Sequence, residues 1–138
     1  MSYAFISGAT GGLGGAFARK LVLTDDLFLT GRSEEKLLAL KSELLAVNPA
    51  AKIEIFAADL TDEAERRAAF DYVDEKGIKF SGLFNVAGVD TQKGFLRYTQ
   101  EKLTFQLRVN VEATLSVTRY VLDRRAENLK ILTVASMS

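Results

Sequence analysis

The sequence contains no cysteine and no histidine. These absences exclude disulfide bonds, a thiolate nucleophile, a Ser-His-Asp triad and the usual zinc sites. Lysine and arginine together number 18, as do aspartate and glutamate, and this balance gives no indication of a nucleic-acid or acidic-membrane partner. No apolar run approaches the length of a membrane span, and residues 3–7 resemble a strand rather than a secretion signal. The expected compartment is therefore the cytoplasm.

Strand-like and helical patterns alternate along the 138 residues, which are enough for one domain with a buried core. The predicted strands cover residues 3–7, 27–30, 53–57, 83–86 and 130–135. One helix follows the glycine cluster after the first strand, and the others run from Ser33 to about Asn48, from about Thr61 to Lys76, and from about Thr99 to Arg124. Such alternation requires right-handed crossovers in a parallel sheet. It predicts an α/β fold with a doubly wound parallel sheet.

A glycine-rich segment joins the first predicted strand to the first helix. Glycine there lets the backbone turn sharply and approach a pyrophosphate, while the helix N-terminus directs free N–H groups at that charge. The candidate binding residues in this segment are Gly8, Thr10, Gly11, Gly12, Leu13 and Gly14. A glycine motif alone is weak evidence, and the alternative is a helix-start turn in which glycine serves packing only.

Four further motifs follow the Gly-x-x-x-Gly-x-Gly spacing in order along the chain. They are Asp59-Leu60-Thr61-Asp62, Asn85-Val86-Ala87-Gly88, Arg108-Val109-Asn110-Val111 and Ile131-Leu132-Thr133-Val134-Ala135-Ser136. The ordered set resembles the short-chain dehydrogenase/reductase family, with Ser7 in place of the usual Thr and Val86 in place of a second Asn. The resemblance implies that residues 1–138 are the NAD(P)-binding, Rossmann-like part of that domain, ending after the fifth strand.

The resemblance also implies a role for each matching position. The family passes a hydride between a nicotinamide and a carbonyl or alcohol carbon. Asp59 would meet the adenine, Ser136 would orient the substrate oxygen, and Asn110 would support a water-mediated proton path. The other positions implied in cofactor binding are Leu60, Asn85, Ala87 and Gly88. Taken singly, each of these residues has an ordinary alternative as a cap, a satisfied helix residue or a loop residue.

The end of the second strand indicates which nicotinamide cofactor is preferred. An NAD enzyme usually has Asp or Glu about 20 residues after the glycine motif, on the ribose 2′-hydroxyl. Here that position is Gly31, and Arg32 and Ser33 follow. A guanidinium can bind a 2′-phosphate through paired hydrogen bonds. We therefore expect NADP(H) to be preferred over NAD(H), although Arg32 could also be a solvated charge and Ser33 only a helix cap.

The family's Tyr-x-x-x-Lys, expected after Ser136, does not occur there. Two such strings, Tyr72–Lys76 and Tyr98–Lys102, precede Ser136 and are not expected to reach a nicotinamide. Loss of a general acid/base typically lowers the rate 10²- to 10⁴-fold. This chain is therefore expected to be inactive alone, as a fragment or truncated form of a short-chain oxidoreductase.

The same residues bear on other functions and on partners. A non-catalytic NADP(H)-binding sensor or relic protein is the alternative to a truncated enzyme. A receiver domain is excluded because Gly8, Ala9 and Thr10 occupy the position of its acidic residues and Ser136 that of its lysine. The substrate is an unidentified carbonyl or alcohol compound. An unpaired outer edge of the fifth strand and apolar residues on several sides of the long helix predict a self-associating chain or homo-oligomer.

Overall fold

The computed structural model describes residues 2–86 and 99–134 of the chain. The strands within them are β1 (Ser2–Ser7), β2 (Asp26–Gly31), β3 (Ile53–Ala57), β4 (Lys79–Asn85) and β5 (Arg125–Thr133). The helices are α1 (Gly12–Leu21), α2 (Glu34–Val47), α3 (Glu63–Lys76) and α4 (Gln100–Asp123). None of these helices combines the length and apolarity needed to cross a bilayer. The alternation confirms the predicted α/β fold.

The five strands form one sheet in the order β3-β2-β1-β4-β5, and every neighbouring pair is parallel. Ile6 of β1 is in register with Leu29 of β2, and Ser7 is in register with Asn85 of β4. From β1, the strands β2 and β3 are added on one side of the sheet, and β4 and β5 are then added on the other side. In open parallel sheets, a ligand binds beyond the carboxyl ends of the strands where this order reverses. Here that position lies between β1 and β4.

Both faces of the central strands are apolar because helices cover both sides of the sheet. Ile6 and Leu29 belong to a core cluster with α1 and α2, and both are fully buried. Phe5, Phe28 and Phe80 belong to a second cluster with α3 and α4. The Phe5 and Phe28 rings meet edge to face with centroids 5.0 Å apart. Burying each such side chain contributes about 1.5–3 kcal/mol, which makes the sheet a rigid base for the loops at its edge.

The C-terminal end of α4 is tied to α3 by a cluster of aromatic and charged side chains. The Tyr120 ring stacks on Phe70 at 3.8 Å, and its hydroxyl lies 2.8 Å from the Asp74 carboxylate. Arg124 donates to the same carboxylate and lies 3.6 Å over the Tyr120 ring. Burial, the hydrogen bond to Asp74 and the charge of that carboxylate all raise the pKa of Tyr120, which keeps its hydroxyl a donor. These contacts fix α4 so that its middle lies over the sheet edge.

Three element boundaries differ from those predicted. The helix expected near Thr61 begins at Glu63, because Asp62 accepts the capping hydrogen bond from the Glu65 amide. β4 begins at Lys79 and β5 at Arg125, well before the apolar segments that predicted them. β5 is an edge strand with mostly exposed residues, so polar side chains are tolerated along it. Its register with β4 also shifts between Phe80 and Gly82, which accommodates the extra residues of β5.

Candidate cofactor-binding cleft

A cleft of about 360 Å³ opens at the carboxyl ends of β1, β2 and β4. One side of α4 closes it from above. The residues that line it, from the described part of the chain, are Ser7, Gly8, Thr10, Gly11, Thr30, Gly31, Arg32, Ser33, Lys36, Ala58, Asp59, Leu60, Thr61, Asn85, Val86, Asn110, Ala113, Thr114 and Val117. Five stretches that are far apart in the sequence therefore meet at the switch in strand order. The location agrees with the rule for open parallel sheets.

The glycine segment forms a tight turn between β1 and α1. Gly8 has a φ of 63°, a left-handed conformation that side chains rarely adopt. The Ala9 amide donates to the Thr30 carbonyl oxygen at 3.0 Å, which ties the turn to β2. A Cβ placed on Gly14 would lie 2.1 Å from the Gly8 carbonyl oxygen, so α1 packs directly on the turn. Only glycine permits this close approach.

The start of α1 is suited to an anion. Its N-cap is Gly11, which has no side chain to bond the first amides of the helix. Those amides are free donors at the positive end of the helix dipole. Gly8, Thr10 and Gly11 line the cleft, whereas Gly12, Leu13 and Gly14 do not. The last three residues form the first turn of α1, and Gly14 packs that turn against Gly8.

The end of β2 places two cations beside the cleft. Arg32 is exposed and lines the cleft with Ser33 and Lys36. Within the described part of the chain, Arg32 has no salt bridge to a carboxylate. The Ser33 hydroxyl accepts a hydrogen bond from the Lys36 amide at 3.2 Å and so caps α2, as expected. Sequence reasoning did not identify Lys36. Its place in the first turn of α2, four residues after Arg32, was the signal that could have found it.

Gly31, beside Arg32, has little room for a side chain of its own. A Cβ at this position would lie 3.2 Å from the Thr10 hydroxyl oxygen and 3.3 Å from the Thr10 methyl carbon. The Thr10 side chain would have to give by a few tenths of an ångström to admit a Cβ there. The position at which NAD enzymes usually carry an acid is thus occupied by glycine in a crowded setting.

Asp59 follows β3 and lies at the far wall of the cleft. Its Oδ1 accepts hydrogen bonds from the Thr61 amide at 3.0 Å and the Thr61 hydroxyl at 2.6 Å. Burial acts to raise the pKa of the Asp59 carboxyl, but these two bonds and the charge of Arg32 outweigh it and lower the pKa. Asp59 is therefore ionised at neutral pH. It caps its own turn, and it also lines the cleft beside Leu60.

The ends of β1, β4 and β5 are linked by polar side chains. The Ser7 hydroxyl accepts from the Val86 amide at 3.1 Å. The Asn85 amide group donates to the hydroxyls of Thr133 at 3.2 Å and Thr118 at 3.3 Å. Asn85 is buried, and these bonds join β4 to β5 and α4. Ala87 and Gly88, predicted beside it, lie outside the described residues.

Of the two residues expected to act in catalysis, Asn110 is in the described part of the chain. Asn110 lies on α4 and lines the cleft, and its side-chain amide donates to the Gln106 carbonyl oxygen of the same helix at 2.8 Å. Ser136 lies outside the described residues, as does Tyr98. Thr114, one turn after Asn110, also lines the cleft. No sequence signal identifies Thr114, because its position depends on how α4 is rotated.

The Tyr72–Lys76 string lies away from the cleft. The Tyr72 hydroxyl donates to Glu54, and the Lys76 ammonium lies 5.6 Å from the centre of the Tyr72 ring. Burial, followed by the hydrogen bond to Glu54, raises the pKa of Tyr72 to about 12. A tyrosine that exchanges protons near neutral pH needs the opposite shift. The geometry and the pKa both agree with the expectation that this string is not the family's acid/base pair.

Comparison with known proteins decides the family. A family described as short chain dehydrogenase matches residues 2–138. The chain belongs to the short-chain dehydrogenase family. A very-long-chain 3-oxoacyl-CoA reductase-like protein of Arabidopsis thaliana is 33% identical over 121 residues, which are 86% of this chain and 38% of that protein. The very-long-chain 3-oxoacyl-CoA reductase of Eremothecium gossypii is 31% identical over 125 residues, 87% of this chain and 35% of that protein.

Solved structures of short-chain dehydrogenases share the fold. A short-chain dehydrogenase from Sphingobium yanoikuyae in complex with NADPH has a TM-score of 0.82 at 26% identity, covering 99% of this chain and 54% of that one. YwfH, an NADPH dependent reductase involved in bacilysin biosynthesis, has a TM-score of 0.84 at 23% identity, covering 98% and 58%. The chain thus spans between 35% and 38% of the two curated relatives and little over half of these two structures.

The cleft of this short-chain dehydrogenase chain fits a dinucleotide on its own features. Any Cβ at residue 14 would clash with the Gly8 carbonyl and prevent the close Gly8–Gly14 contact. The first amides of α1 can donate hydrogen bonds to a pyrophosphate, and the charges of Arg32 and Lys36 can bind a further phosphate. Among the residues that the structure describes, the buried hydroxyl of Thr30 in the cleft wall has no hydrogen-bond partner. Thr30 was also missed by sequence reasoning, since only the strand register shows that it belongs to the cleft wall.

Proposed function

We propose that this chain is the cofactor-binding part, residues 1–138, of an NADP(H)-dependent short-chain oxidoreductase of the cytoplasm. The observation that carries the proposal is the pair of cations at the start of α2. Arg32 and Lys36 line the same cleft as the capping residue Ser33, and Gly31 replaces the acid that would repel a 2′-phosphate. A guanidinium binds such a phosphate through paired, charge-assisted hydrogen bonds.

The chain's own residues would hold the dinucleotide in a defined direction. The amides at the start of α1 bind the pyrophosphate, and the left-handed turn at Gly8 allows its close approach. Asp59 and Leu60 would form the wall for the adenine, and Asn85 would continue the site towards the nicotinamide. Ala87 and Gly88 remain proposed cofactor-binding residues from the family resemblance. When bound, the nicotinamide exchanges a hydride with a carbonyl or alcohol carbon. Asn110 would then support the proton path, and Ser136 would orient the substrate oxygen.

Turnover requires more than these residues. The Tyr-x-x-x-Lys of the family does not follow Ser136 within the 138 residues. We propose that this chain binds cofactor and is inactive alone, since the missing acid/base group is typically worth 10²- to 10⁴-fold in rate. The two relatives are named for very-long-chain 3-oxoacyl-CoA. A 3-oxoacyl thioester is therefore the carbonyl substrate to test first on a longer form of the protein.

The direct test of cofactor choice is calorimetric titration of the chain with NADPH and with NADH. We expect NADPH to bind roughly 10- to 100-fold more tightly, because only its 2′-phosphate can take charge-assisted hydrogen bonds from Arg32 and Lys36. The difference in affinity between NADPH and NADH should become smaller in high salt, since both cations are exposed to solvent. Equal affinity for the two cofactors, or tighter binding of NADH, would contradict the proposal.

We also expect the chain to self-associate. Exposed apolar residues run along α4, and two more lie on the edge strand β5; they are Phe105, Leu107, Val111, Leu115, Ile131 and Leu132. Apolar patches and unpaired strand edges both favour association. Light scattering coupled to gel filtration should give a mass above that of one chain at high concentration. Charged substitutions at Val111 and Leu115 should lower it, and a monomer at every concentration would refute the expectation.

A further inference from the structure

Arg66 occupies an unusual place on α3. It is 8% exposed, and it lies on the buried face of the helix together with Ala69 and Val73. Arginine is rarely buried to this extent unless a carboxylate pairs with it. Within the described part of the chain, no ion pair includes Arg66. Since an unpaired buried charge lowers stability, its presence on this face calls for a reason.

The guanidinium of Arg66 holds the backbone of the turn between β3 and α3. Its Nη1 donates to the Leu60 carbonyl oxygen at 3.0 Å, and this hydrogen bond is buried. Among the residues that the structure describes, that carbonyl accepts no other hydrogen bond. The side chain of Arg66 is therefore what satisfies the Leu60 carbonyl in the ligand-free chain.

Other hydrogen bonds fix the two ends of this turn but not its middle. The Asp62 amide donates to the Asp59 carbonyl oxygen at 3.0 Å, and the Asp59 amide donates to the Glu65 carboxylate at 3.1 Å. The Thr61 amide donates to the Asp59 side chain. None of these bonds involves Leu60. Arg66 thus ties the middle of the turn to the body of α3.

The turn that Arg66 holds is one wall of the cleft. Asp59, Leu60 and Thr61 line the cleft, whereas Arg66 does not. Leu60 also belongs to the second core cluster, so its carbonyl has little access to water. Without the guanidinium, the turn would have to open for this carbonyl to find a new partner. Such an opening would move Leu60 and Thr61 relative to the cleft.

We propose that Arg66 is a positioning residue, whose buried guanidinium holds the Leu60 carbonyl and so keeps the cleft wall of residues 59–61 in place before a dinucleotide binds. This inference rests on the proposed cofactor function. Arg66 touches no ligand, and it acts because a wall that is already ordered loses less conformational freedom on binding. NADPH and NADH would meet the same wall. Arg66 therefore affects both cofactors equally, in contrast to Arg32.

Three variants separate positioning from stability. Arg66→Met removes the donor and should weaken the binding of NADPH and of NADH alike, by roughly 3- to 12-fold, the range of one neutral hydrogen bond. Its thermal midpoint should stay within roughly 5 °C of the parent, since removal of a buried charge offsets the unpaired carbonyl. Arg66→Lys keeps a donor and should bind more tightly than Arg66→Met, with a midpoint no higher. Arg67→Met removes the exposed neighbouring charge, which does not line the cleft, and should keep both affinities within about 2-fold.

Amide hydrogen exchange reports the wall directly in the ligand-free chain. Exchange of the Thr61 amide should be faster in Arg66→Met than in the parent and unchanged in Arg67→Met. Affinities that follow the thermal midpoint across Arg66→Met and Arg66→Lys would show a purely structural role and overturn the proposal, as would a loss confined to NADPH. If the parent binds NADPH and Arg66→Met binds it equally well, only this inference fails. If the parent binds neither NADPH nor NADH, the proposed function fails with it.

Discussion

Replacing Gly14 with alanine is expected to destabilise the chain by about 3 kcal/mol and to lower its thermal midpoint by roughly 10 °C. The new Cβ would lie 2.1 Å from the Gly8 carbonyl oxygen and 2.8 Å from the Gly8 carbonyl carbon. Both atoms belong to the backbone and cannot rotate away. Either α1 must move off the turn or the left-handed conformation of Gly8 must change. Both adjustments misplace the amides proposed for the pyrophosphate, so NADPH affinity should fall as well.

Gly12→Ala is the matched control. A Cβ at Gly12 has nothing within 4 Å, and the residue begins the same helix. Alanine has a higher helix propensity than glycine, so this variant should be as stable as the parent or slightly more stable. Thermal unfolding followed by circular dichroism compares the two. Similar thermal midpoints for Gly14→Ala and Gly12→Ala would show that the close contact at Gly14 does not determine the stability of the chain.

Arg32→Ala is expected to weaken NADPH binding roughly 10- to 100-fold and to change NADH binding by less than about 3-fold. The guanidinium has no salt bridge within the described part of the chain, so its removal breaks no ion pair of the fold. Its loss removes the paired hydrogen bonds to a 2′-phosphate, which NADH does not have. The thermal midpoint of the ligand-free chain should be nearly unchanged, since Arg32 is exposed.

Two further variants define what Arg32 does. Arg119→Ala removes an exposed arginine that pairs with Asp123 on α4 and does not line the cleft, so NADPH affinity should be kept. Arg32→Lys keeps the charge without the planar fork and should bind NADPH with intermediate affinity. Equal losses for NADPH and NADH in Arg32→Ala would mean that the guanidinium does not distinguish the cofactors.

The sequence predicted those features that depend on local chemistry. Ser33 accepts the capping bond of α2, and Gly77 ends α3 with a φ of 66°, both as expected from residue type. The alternation of strands and helices also gave the correct fold class. The start of β5 was missed because Arg125 and Glu127 are polar, and an edge strand needs no apolar pattern.

Features of the cleft that depend on several elements could not be predicted. Thr30 belongs to the cleft wall because β2 is in register with β1 and β3, and nothing in its own neighbourhood indicates this. Thr114 lines the cleft because α4 is rotated so that Ala113, Val117 and Val121 are buried. Conversely, Gly12 and Leu13 belong to the glycine motif but do not line the cleft. A motif therefore identified the region of the site, and tertiary packing decided which of its side chains face a ligand.

The most direct test of the account is a two-dimensional amide NMR titration of the chain with NADPH, with NADH as the comparison. The account predicts that NADPH shifts the amide resonances of the glycine turn, of Arg32 and of Thr61, and that NADH produces smaller changes at Arg32 at equal concentration. Resonances far from the cleft, such as Ile78, should not move. Shifts confined to residues outside the cleft, or no shifts with NADPH, would contradict the assignment of this cleft as a site for NADP(H).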